Sequence, residues 1–138
     1  MPRLAAMAAL IFALSLAACG ESKEDKAQKT VCSARADIKA QVDELKGISV
    51  TTATLDGVRA NLREIGDGLR KIAGAQGDLI GDRRQAVEKA SQTFKSEVAG
   101  VTRELATSVS LSDGKQQIQA ALEGLASSYQ AAFAPLDC

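Results

Sequence analysis

A chain of 138 residues, 46% of them hydrophobic and 25% charged, is long enough for one packed core and too apolar to be disordered throughout. Its 17 basic and 17 acidic side chains cancel, so no net positive field is available to draw nucleic acid or anionic lipid nonspecifically, and nucleic acid is not expected as a partner. The chain has no His, which removes Ser-His-acid triads, Cys-His pairs and His-bearing metal helices in one step, and it has no Trp.

The chain opens with Met1-Pro2-Arg3, one positive charge, followed by a run from Leu4 to Leu16 that is apolar apart from Ser15. A short apolar core behind a basic start is the architecture of a secretory signal peptide. Leu4 to Ala18 is only 15 residues, whereas a spanning helix needs about 20, so a cleaved leader is preferred to an uncleaved anchor.

The segment Leu16-Ala17-Ala18-Cys19 at the end of that core resembles the lipobox of bacterial lipoproteins: a branched apolar residue, two small residues and a cysteine. The resemblance covers the signal segment alone. It implies transfer of a diacylglyceryl group to the Cys19 sulfur, cleavage between Ala18 and Cys19, and attachment to a membrane through lipid. One acyl chain gives only marginal, reversible binding, and two or three make the anchoring lasting. In cells with two membranes Asp after the cysteine resembles an inner-membrane retention signal; Gly20 stands there instead. The expected location is therefore the cell envelope: the outer membrane facing the periplasm where two membranes exist, and otherwise the outer face of the cytoplasmic membrane.

Removing the first 18 of 138 residues leaves 120 for the mature protein, a normal size for one domain. Residues 1–18 are thus assigned to the signal peptide, 19–29 to the lipidated cysteine and a flexible tether, and 30–138 to a helical domain. Gly20 to Lys29 carries mixed charge and no apolar side chain larger than alanine, so it reads as solvated. Fully extended, ten such residues reach about 33–36 Å.

From Val31 onward, large apolar residues recur every three or four positions and no alternating strand pattern interrupts them. The first helix, roughly Thr30 to Lys46, carries Val31, Ile38, Val42 and Leu45, with Gly47 placed to end it and Ile48 just beyond. The second shows Leu55, Val58, Leu62, Ile65, Leu69 and Ile72 as a sustained heptad seam, which wants partner helices. Thr51 and Thr52 are candidates to cap its start, and Gly74 with Gly77 closes it. Gly57, Gly66 and Gly68 weaken it by about 1 kcal/mol each relative to alanine.

The third helix is expected from about Asp78 to Val109, with Ile80, Val87, Ala90, Phe94, Val98, Val101, Leu105 and Val109 on one face and Gly100 as the place for a bend. The fourth begins near Asp113, which has capping spacing to Gln116, and presents Ile118, Leu122, Leu125, Tyr129 and Phe133 before Pro135 stops it. Four amphipathic helices on short connections predict an all-α, antiparallel up-down four-helix bundle, with a three-helix bundle as the alternative.

Four alternating helices bring the start of the first and the end of the last to one end of the bundle, where Cys32 and Cys138 stand. With Cys19 lipidated and the chain exported, an intramolecular Cys32–Cys138 disulfide is expected. Two independent thiols, or a Cys138 paired with another molecule, are the alternatives.

Candidate chemistry is sparse. Glu21, Glu24 and Asp25, or Asp78 and Asp82, could be offered to a hard cation, but Lys23, Lys26, Arg83 and Arg84 lie among them and a solvated surface is the simpler reading. Neither metal nor cofactor is expected. Arg59, Arg63 and Arg70 form a stripe on the second helix that Glu64 and Asp67 explain as ordinary ion pairs. Arg84 falls between Ile80 and Val87 and is expected to snorkel from the bundle's end. Phe94, Tyr129 and Phe133 could line a pocket for a small apolar ligand, against core packing as the default.

A short lipoprotein with a heptad seam also resembles the helical lipoproteins that tether an outer membrane to peptidoglycan. Those end in a lysine joined to the wall, whereas this chain ends in Asp137-Cys138, so that role is not carried over. What remains is a non-enzymatic, lipid-anchored scaffold or protein-interaction module with a protein partner, and, as the alternative, a carrier or sensor of a small apolar ligand held between the helices.

Overall fold

The computed structural model describes residues 20–107 and 111–138. Four α-helices occupy them: α1 (Lys23–Gly47), α2 (Leu55–Gln76), α3 (Gly81–Thr107) and α4 (Leu111–Phe133). Each packs on its neighbours in the ring α1, α2, α3, α4 and back to α1. This is the four-helix arrangement the apolar spacing predicts, and the three-helix alternative is set aside.

Helix α1 begins seven residues earlier than expected. Ser22 is the N-cap, its hydroxyl accepting from the Asp25 amide at 3.1 Å while the Asp25 carboxylate accepts from the Ser22 amide at 3.4 Å. The reciprocal pair satisfies two amides that a helix start otherwise leaves open. Residues 23–29, read as flexible tether, are therefore helical, and Ala27 is buried with Val31, Ala34, Ile38, Val42 and Leu45 along one face. The polar composition of this stretch hid the helix because one small residue, Ala27, is all of it that is buried in the core.

The heptad seam of α2 is inside as expected, with Val58, Leu62, Ile65, Leu69 and Ile72 buried and Leu55 packed against the cluster. Its start corrects the expected Thr51 or Thr52 cap: Thr54 is the N-cap and makes no side-chain bond to the helix. The Thr54 hydroxyl instead ties the preceding loop, accepting from the Thr51 amide and donating to the Ser49 carbonyl, both at 2.8 Å. Val50 plugs the core beneath this loop.

Gly68 is where α1 and α2 approach most tightly on a glycine. A Cβ there would lie 2.6 Å from Ile38 Cγ1 and 3.6 Å from the Ala34 carbonyl oxygen. The residue that weakens α2 by itself thus permits its packing on α1.

The α2–α3 connection corrects a second expectation. Leu79, not Ile80, enters the core, at 1% exposure, while Ile80 stands 65% exposed. Gly81 opens α3 with φ +57°, a left-handed conformation that disfavours any side chain, and it makes helix α3 start three residues later than Asp78. Val87, Ala90, Phe94, Val101 and Leu105 are buried along α3; the expected terminal residue Val109 lies outside the described residues. Helix α4 starts at Leu111, so Asp113 is already within it and is not its N-cap; the Asp113 side chain lies outside the described residues. Ile118, Leu122, Leu125, Tyr129 and Phe133 are all buried, and the helix ends two residues before Pro135.

Candidate functional site

Cys19, the expected lipidation residue, lies outside the described residues; the chain enters the structure at Gly20 and is helical by Lys23. The starts of α1 and α3 and the end of α4 share one end of the bundle, and side chains bind them together there. Cys32 of α1 and Cys138 form a disulfide with Cα atoms 5.6 Å apart, as the even-numbered topology predicts.

Beside the disulfide, the Arg35 guanidinium donates to the Leu136 carbonyl at 2.8 Å, and the Tyr129 hydroxyl donates to the Arg35 carbonyl at 3.0 Å. Arg83 donates to the Glu24 carboxylate at 3.0 Å, joining the first turns of α3 and α1. Together these contacts strap the C-terminal tail and the α2–α3 connection to α1. Val31, Cys32, Leu79, Arg83, Pro135 and Leu136 wall a shallow cleft of about 340 Å³ between them.

The candidate apolar-ligand residues are placed otherwise than a pocket requires. Phe94 meets Tyr129 and Phe133 edge-on, with ring centroids 5.7 and 5.5 Å apart, and Tyr129 stacks on Phe133 at 5.3 Å. All three are buried and none lines the cleft above or the groove of about 560 Å³ between α2 and α3. The trio fills core volume; each ring occupies the space a ligand would need.

The first acidic cluster is likewise engaged. Asp25 serves the α1 cap, Glu24 pairs with Arg83, and Glu21 pairs with Lys29. Among the described residues, no three His, Cys, Asp or Glu side chains come together as a metal site requires. On α2, Arg59 pairs with Asp56 and Arg70 with Asp67, while Lys71 reaches Asp37 of α1 at 3.8 Å. Two of the three stripe arginines, Arg59 and Arg70, thus sit in helix-surface pairs, each with an aspartate three residues before it. Arg84 is exposed near the bundle's end, its head paired with Glu88 one turn on.

Sequence reasoning missed Arg35, whose role depends on a tail about a hundred residues away, and Ser22, whose partner Asp25 gives the Ser-x-x-acid signal of a helix start. Among the described residues, no helix is long and apolar enough to cross a membrane. No protein-family profile, no curated protein and no solved structure matches the chain.

Proposed function

We propose that this chain is the precursor of a lipid-anchored envelope protein, cleaved before Cys19, whose helical domain is a non-catalytic scaffold or protein-interaction module. The observation that carries the proposal is Leu16-Ala17-Ala18-Cys19, set at the end of a short apolar core behind a single basic residue. A disulfide between Cys32 and Cys138 supports export, because such bonds persist in oxidising compartments and are rare in the cytosol. The lipid then holds the domain at the outer membrane facing the periplasm, or at the outer face of the cytoplasmic membrane where there is only one. The aromatic trio, closed on itself, lends no support to the carrier reading.

The test is expression of the full chain in a lipoprotein-processing bacterium, beside Cys19→Ala. The expected N-terminal peptide begins at Cys19 and carries acyl mass; the variant carries none and leaves the membrane fraction. An unmodified terminus at Met1 in a cytosolic fraction rules the proposal out. In-cell crosslinking of the anchored protein, read by mass spectrometry, then identifies its neighbours; recovery of no specific neighbour removes the interaction role.

A further inference from the structure

Ile80 is the one exposed large hydrophobic residue among the described residues, at 65% exposure. A single exposed isoleucine is unremarkable by itself on a protein surface. Its position gives it meaning. Leu79 turns inward and Gly81 takes a positive φ, so the backbone of this short connection directs one apolar side chain into the core and the next one outward.

Three residues after Ile80, Arg83 bonds Glu24 in the first turn of α1, which places the Ile80 connection beside the point where the chain emerges toward Cys19. The capped start of α1 leaves only Gly20, Glu21 and Ser22 between that cysteine and the helix. Four Cα steps of 3.8 Å span at most about 15 Å, less than half the reach of a ten-residue tether.

We infer that the end of the bundle where the α2–α3 connection meets the start of α1 rests on the lipid surface, with Ile80 inserted among the headgroups of a zwitterionic membrane. The inference rests on the lipid anchor at Cys19, which supplies the proximity, and goes beyond it by fixing which end faces the bilayer. Asp78, Asp82 and Asp137 stand among Lys26, Arg83 and Arg84, so this end presents mixed charge and no positive field for anionic headgroups. Apolar contact, not charge, is the attraction.

Because the chain has no Trp, one introduced indole is the sole emitter of its kind. Full-length Ile80→Trp, and Thr52→Trp in the loop at the opposite end, are processed in cells, purified and reconstituted into phosphatidylcholine vesicles with or without brominated acyl chains. Acyl mass and vesicle flotation report the anchor; quenching by bromine reports the contact. The expected result is at least twofold quenching at position 80 and none at position 52.

Indole itself favours membrane interfaces, so a second reporter leaves Ile80 in place: Asp78→Trp, exposed in the same connection, should be quenched, and adding Ile80→Asp should abolish that quenching. Floated, acylated protein quenched equally little at 80 and 52 overturns the inference while the anchor stands. Protein that neither floats nor carries acyl mass overturns both. Quenching that requires anionic lipid and vanishes in high salt overturns the apolar basis. In the soluble Cys19→Ala background, a concentration-dependent blue shift of the position-80 emission assigns the surface to a second copy of the chain and overturns the membrane assignment.

Discussion

The Tyr129 hydroxyl of α4 donates a 3.0 Å hydrogen bond to the backbone carbonyl of Arg35 on α1, and the Arg35 guanidinium donates in turn to the Leu136 carbonyl just past the end of α4. One residue of the first helix thus receives the last helix and holds its tail. Burial raises the Tyr129 phenol above its ordinary value of 10.0, only partly offset by its hydrogen bond and charge interaction with Arg35. A raised acid favours the neutral form in the fold, so its contribution to stability is complete below pH 10.0 and is lost as pH rises through the folded value. Urea titrations from pH 8 to 11 should show wild-type stability falling at the alkaline end. Tyr129→Phe should begin about 0.5–1.5 kcal/mol less stable and lose that alkaline slope.

The disulfide and the Arg35 contact restrain the same tail by different means. Cys32 and Cys138 are 106 residues apart, so the bond closes nearly the whole folded chain. Removing it with paired Cys32→Ser and Cys138→Ser should cost about 2–5 kcal/mol, most of it through a freer unfolded state. Thermal unfolding followed by circular dichroism should show reductant lowering the wild-type midpoint to that of the double variant, with the variant itself unresponsive. Arg35→Ala should lower stability in both redox states, because it loosens the native tail without changing the closed loop.

Three glycines of α2 look equivalent in sequence and are not. A Cβ at Gly57 or Gly66 meets nothing within 4 Å, so alanine there should stabilise by about 0.5–1 kcal/mol through helix propensity. At Gly68 the same change drives a methyl group into Ile38 and should destabilise by about 1–3 kcal/mol through overpacking. Denaturant midpoints of the three single variants test the sign. Gly68→Ala with Ile38→Val should recover part of the loss, since the clashing Ile38 atoms include the Cδ1 that valine lacks.

The seam of α2 was legible because it repeats apolar residues over six positions, and the same period located the buried faces of α3 and α4. Pairing of Cys32 with Cys138 was legible because an even number of alternating helices returns the chain to its starting end. Ile80 and Leu79 were not separable in this way: both fit the period, and only the left-handed turn at Gly81 decides which one points inward. Arg35 gave no local signal, since its partner carbonyl lies 101 residues away and is a backbone atom that any residue could supply. The aromatic trio was recognisable as a cluster, but whether three rings enclose space or fill it depends on interplanar angles that spacing does not contain.

A buried polar group marks a place where stability can be gained. Asn61 on α2 is 8% exposed, and its Nδ2 has no hydrogen-bond partner among the described residues. Leaving such a donor unsatisfied costs about 1–3 kcal/mol, so Asn61→Leu, similar in shape and lacking the amide, should raise the unfolding free energy. An unchanged or lowered urea midpoint for this variant would show that the amide is satisfied in solution.

The last prediction concerns the first turn of α1, where three residues separate the helix from Cys19. Ser22→Ala removes the oxygen that accepts from the Asp25 amide and should cost about 0.5–2 kcal/mol, whereas Ser22→Gly should cost only a few tenths. Because Ala27 is the first residue of α1 buried in the core, the residues before it keep little beyond the Glu24–Arg83 pair to hold them once the cap is gone. Amide hydrogen exchange should therefore accelerate over residues 23–27 in Ser22→Ala while Val31 and the rest of α1 keep their protection. Fraying of that turn lengthens the flexible connection to Cys19, so in the anchored protein Ser22→Ala should also weaken bromine quenching at position 80, although Ile80 itself is untouched. A change in exchange without any change in quenching would mean that apolar contact at Ile80 holds the bundle to the lipid surface even when its leash is slack.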